Sequence, residues 1–137
     1  MSNPVFTGGP IGFEVASKVE KGHLVAANAE GKVAHAGAEG GILGAVTEIA
    51  DPSTVLRPDD VAVHYGTSAV KLVVSGGDAS VFKIGDAVFA AANGEVADTG
   101  TVQVGVAVRN GENGKVLTVL NGLPVAGPAD ESGTEGN

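Results

Sequence analysis

KGHLVAANAEGKVAHAG, residues 21–37, and IGDAVFAAANGEVADTG, residues 84–100, are the two stretches whose likeness decides the fold. Gly22 matches Gly85, Val25 matches Val88, Gly31 matches Gly94 and Val33 matches Val96. Each stretch leads to a longer apolar segment with a central glycine, ILGAV at 42–46 and VQVGVAV at 102–108, so Gly44 matches Gly105. Both copies read as glycine turn, short strand, polar turn, short strand, loop and longer strand. A duplicated unit of this kind builds a small β-barrel or β-sandwich from two similar β-hairpin units. The repeated glycines mark turns or bulges where a Cβ would clash.

Outward from the repeat, strand signals follow one another closely. Val102, Val104, Val106 and Val108 alternate with other residues in the clearest period-two run of the chain. Its partner is Lys115–Leu120, across the hairpin loop Asn110-Gly111-Glu112-Asn113-Gly114, whose Asn and Gly residues accept positive φ. Ile11, Phe13 and Val15 alternate with Gly12 and Glu14, and further apolar stretches lie at His23–Ala27, Lys32–Ala36 and Ile42–Ile49. After a proline-bearing loop, Asp51–Asp60, come Val61–Tyr65 and Ala69–Ser75, separated by a turn at Gly66-Thr67. No segment carries a sustained 3.6-residue apolar period with caps. The expectation is an all-β fold.

The composition agrees. In 137 residues, 43% are hydrophobic but only 4% aromatic, and there are 22 glycines and no Trp. A core of Val and Ala buries less area per side chain than one of Phe and Leu. At roughly 25 cal/mol per Å² it contributes less stability per residue. Such a protein gains from burying surface against copies of itself or a larger partner. Sixteen acids against eight bases give a net charge of −8, which disfavours nucleic acid as a partner. The six Lys and two Arg are scattered singly along the sequence. Absent cysteine excludes disulfides and thiolate chemistry.

Residues 1–10, with two prolines and Gly8-Gly9, read as an extended N-terminal arm. Residues 11–126 form the β-rich domain. Residues 127–137, GPADESGTEGN, hold three acids and no large apolar side chain, and read as a disordered tail. The first ten residues lack a basic or apolar signal-peptide pattern, and no apolar run approaches the ~20 residues that span a bilayer. The expectation is a chain made in a cytoplasm, with no membrane partner.

Reactive constellations are weak. His23 and His35 flank one expected hairpin at a spacing that matches no metal motif, and they fall where the second copy has Asp86 and Asp98. Both are expected at the surface, like His64. Ser68, His64 and Asp60 lack a nucleophile-elbow context. Asp59-Asp60 after Pro58 reads as solvated loop acids. AGAEGGILG at 36–44 and SGGD at 75–78 neither match a phosphate loop nor precede a helix. The turn Lys83-Ile84-Gly85-Asp86-Ala87-Val88 is of a kind found in lipoyl- and biotinyl-type carrier domains. Lys115, after Asn113-Gly114, lacks the flanking residues of a modified lysine. The sequence calls for no catalytic residue, no metal ligand and no cofactor.

With these residues in view, the chain resembles the small decoration (cement) proteins of tailed-phage capsids. The likeness covers about residues 10–125. It rests on the Gly-Asp-x-Val turn at Gly85–Val88, Asn93-Gly94, the Val-Gly-x-Ala strand at Val104–Ala107, and the closing strand Lys115–Leu120. His23 stands where the first copy should have Asp. The resemblance implies a non-enzymatic structural virion protein: a homotrimer on the exterior of the expanded head, bound to the major capsid protein. It also implies that the arm touches capsid or a neighbouring protomer, with Pro4, Val5 and Phe6 as candidates. A tail or fibre module and a carrier domain are the alternative readings.

Overall fold

A computed structural model describes residues 10–56, 58–121 and 123–127. Apart from Pro10 and Gly127, the expected arm and tail therefore lie outside the described residues. Ten strands fall in two groups of five. The first group is β1 (Ile11–Glu14), β2 (His23–Ala27), β3 (Val33–His35), β4 (Gly44–Val46) and β5 (Asp60–His64). The second is β6 (Ala69–Val73), β7 (Ala87–Ala90), β8 (Val96–Ala97), β9 (Gln103–Ala107) and β10 (Lys115–Leu120). The only helical elements among the described residues are single 3₁₀ turns. The fold is all-β, as the sequence requires.

The two sheets have the same strand order, β1-β5-β4-β2-β3 and β6-β10-β9-β7-β8, with antiparallel neighbours throughout. The registers correspond at the repeated positions. Val25 faces Gly44 as Val88 faces Gly105, and Ala27 faces Val33 as Ala90 faces Val96. In each unit a parallel bridge, Val15 to Val33 and Val74 to Val96, draws the first strand toward the third and curls the sheet into a partial barrel. The duplicated module is therefore larger than a hairpin. It is a whole five-stranded unit, whose outer strands β1 and β6 share no identical residue at equivalent positions.

One segment is shorter than its apolar run. Of Ile42–Ile49, only Gly44–Val46 is strand, because Ile42 bridges to Val125 and Ala50 exchanges both backbone hydrogen bonds with Val19 (2.8 and 3.1 Å). The first unit closes on a core of its own, built from Val15, Val19, Val25, Val33, Val46, Val61 and Val63. The second unit's core contains Phe82, Leu72, Val88, Val104 and Leu120, and it also takes Leu24, Ala36, Ile42 and Ala45 from the first unit. Alternation along the strand explains this sharing. On β2, Val25 points into its own unit and Leu24 into the next, so both faces of the strand are buried. Residues 123–125 return as a strap: Gly66 N–H donates to the Leu123 carbonyl and Val125 N–H to that of Ile42.

Candidate functional site

Two polar constellations stand out, and both arise where the units meet or differ. The first joins the units. His23, at the start of β2, and His35, at the end of β3, stack with ring centroids 4.2 Å apart and planes 14° apart. The Nδ1 of His23 lies 2.9 Å from the backbone oxygen of Asn93, and the Nδ1 of His35 lies 3.3 Å from its side-chain oxygen. Asn93 belongs to the second unit, in a turn where its φ is +61°. The Glu20 backbone N–H donates to Nε2 of His35 at 3.0 Å. Nε2 is therefore an acceptor, and the proton of neutral His35 sits on Nδ1, directed at Asn93. Burial, with the neighbouring His23, lowers the pKa of His35; Asn93, Glu20 and Glu95 oppose the shift.

The expectation of surface histidines fails for His23, which is only 6% exposed. Within the hairpin its position is an edge. It becomes interior because the second unit packs over it, which no local pattern reveals. The stacked rings point their Nδ1 atoms at one residue rather than at a shared ion. Among the described residues no group of three or more His, Cys, Asp or Glu side chains is arranged to hold a metal. Nor do Ser68, His64 and Asp60 converge. Asp60 and His64 terminate opposite ends of β5, and the Ser68 hydroxyl donates to the Tyr65 carbonyl at 3.1 Å. The Gly85-Asp86 turn is structural. Lys83 N–H donates to the Asp86 carboxylate at 2.8 Å, and Asp86 N–H returns to the Lys83 carbonyl at 3.0 Å.

The second constellation overturns the reading of singly scattered bases. Register places Lys71 of β6 opposite Leu117 of β10, and Val73 opposite Lys115. With Arg109, just beyond β9, Lys71, Lys115 and Leu117 line one groove, which also holds the acid Glu112. Three of the eight basic residues of an acidic chain thus gather on one face. The first unit is elaborated differently. Thirteen residues, 47–59, join β4 to β5, against seven, 108–114, between β9 and β10. The longer loop carries Val55 and Leu56, which are 99% and 88% exposed. Pro4, Val5 and Phe6 lie outside the described residues.

Fold and side chains together define a tandem all-β protein of two matching five-stranded units. The chain matches no known protein-family model and none of the curated proteins. It is similar to a solved structure, the N base of head fiber gp8.5 in bacteriophage phi29, with a TM-score of 0.61 at 19% identity. The match covers 88% of this chain and 98% of that one, so the shared fold extends over essentially the whole β-domain.

Proposed function

We propose that this chain is a non-enzymatic phage virion protein that coats the outside of the capsid. In this reading it is a homotrimer bridging major capsid subunits and stabilising the expanded head against its packaged DNA. The observation that carries the reading is the fold held in common, over nearly the full length of both chains, with the base of a phage head fiber. The cement-protein motifs of the repeat point the same way.

A coat protein of this sort acts by selective binding. A ligand that engages only the assembled, expanded lattice stabilises that state by its binding free energy. Each foothold need bury only a modest area, because three linked footholds turn the later contacts into intramolecular ones. Pro4-Val5-Phe6 supplies an apolar contact segment in each protomer. The acidic surface suits an exterior position, away from the DNA.

Mixing the purified protein with expanded and unexpanded shells, and counting bound copies, tests this. Saturable binding to expanded shells alone is the expected outcome. Equal binding to both, or to neither, overturns the proposal. Removal of residues 1–9 should weaken attachment to the shell by ~10-fold or more while leaving the thermal unfolding of the β-domain unchanged.

A further inference from the structure

The duplication gives the basic groove its own internal control. Residues equivalent by register can be read from one unit to the other. Gly12 pairs with Ala62 as Lys71 pairs with Leu117, and Glu14 pairs with Asp60 as Val73 pairs with Lys115. Ala50 bonds to Val19 as Gly111 bonds to Phe82, which sets Glu48 at the position of Arg109. At the three basic positions of the groove, the first unit has Gly12, Glu48 and Asp60. The same backbone scaffold carries a positive face in one unit and a negative face in the other.

Among the described residues the groove sets three bases, Lys71, Arg109 and Lys115, against one acid, Glu112. Glu14 and Asp60 are both exposed and directly opposite across β1 and β5, an arrangement that repels. Asp59 adds a third exposed acid beside them. On the other side, Lys71 and Arg109 are exposed, and the Arg109 side-chain bond is to its neighbour, the Val108 carbonyl at 2.8 Å. The loop that departs from the duplicated pattern, with bare Val55 and Leu56, runs straight into Asp59-Asp60. An apolar anchor beside a charged rim is the usual anatomy of a specific contact.

We propose that the groove of Lys71, Arg109 and Lys115 docks the Glu14–Glu48–Asp60 face of a second copy of this chain. The occupant is fixed by charge complementarity, since the acidic face is the groove's own counterpart on the same scaffold. The contact is heterologous, the second unit of one protomer on the first unit of the next, and such contacts form a ring where the rotation between protomers closes, as a trimer requires. This rests on the self-association part of the proposed function and names the surfaces that make it.

Light scattering or sedimentation on the full chain tests it, with surface charges reversed in pairs. Lys71→Glu with Arg109→Glu should weaken association by ~100-fold, and Glu48→Lys with Asp60→Lys should do the same, because each puts like charges in contact. The wild-type assembly should loosen as salt rises. Carrying all four changes in one chain should restore association, since the groove and the face it meets are then complementary again. All four residues are exposed, and an unchanged thermal transition verifies that each variant folds. An oligomer indifferent to both reversals and to salt overturns this interface while leaving self-association intact. A wild-type chain monomeric at every concentration and salt overturns both.

Discussion

Gly44 and Gly105 lie against the backbone of the neighbouring strand, so their lack of a side chain has a direct steric cause. A Cβ on Gly44 would overlap the His64 carbonyl oxygen, and one on Gly105 would overlap that of Val119. His64 and Val119 are themselves equivalent, each paired one residue past its glycine. The duplicated glycine thus answers one duplicated clash. Gly44→Ala and Gly105→Ala should each destabilise by roughly 1–3 kcal/mol in denaturant unfolding, the usual cost of forcing atoms into packed space. His35 gives a pH-dependent counterpart. Its folded pKa is lowered below the ordinary 6.5, so the unfolded chain takes up a proton first as pH falls. The favourable contribution of this residue is therefore whole above 6.5 and lost as pH drops through the folded value. Comparing unfolding at about pH 7.5 and 5.5 should show a loss on acidification that is smaller in His35→Gln. An equal loss in both would remove His35 as its source.

The turn at 92–94 is the element on which the joint between units depends. Its Asn93 accepts through two oxygens at once, one from each stacked ring, in a backbone conformation with φ of +61° that Asn and Gly tolerate. Asn93→Gly keeps the turn and the backbone acceptor for His23 but deletes the side-chain acceptor for His35. Because that side chain raises the proton affinity of His35, its removal should move the His35 titration to still lower pH. Imidazole NMR shifts report this directly. A shift upward, or none, would refute the assigned hydrogen bond.

Over the whole molecule the two units are joined by a core as well as by polar contacts. Leu24, Ala36, Ile42 and Ala45 belong to the first unit by sequence and to the second unit's core by packing. Leu24 is fully buried there. Leu24→Ala should cost about 2–5 kcal/mol, as large-to-small changes in a packed core do. Calorimetry should show one cooperative transition moving down as a whole. Two transitions, with only one of them shifted, would mean that the units fold apart.

The all-β class, the hairpins and the duplication are legible in the order of residues alone. Those properties rest on local causes: alternation of Val along strands, positive-φ residues in turns, and glycines at fixed spacing. The strands His23–Ala27 and Lys115–Leu120 emerge with the limits read from their residues. Other properties are set by packing across strands and between units. The full five-stranded extent of the repeat, the burial of His23 and the gathering of Lys71, Arg109 and Lys115 all follow from register and packing between distant segments. A residue's neighbours along the chain set its backbone; its neighbours across the sheet set its charge environment, and these are 15 to 70 positions away for His35 with Glu20 and His23 with Asn93.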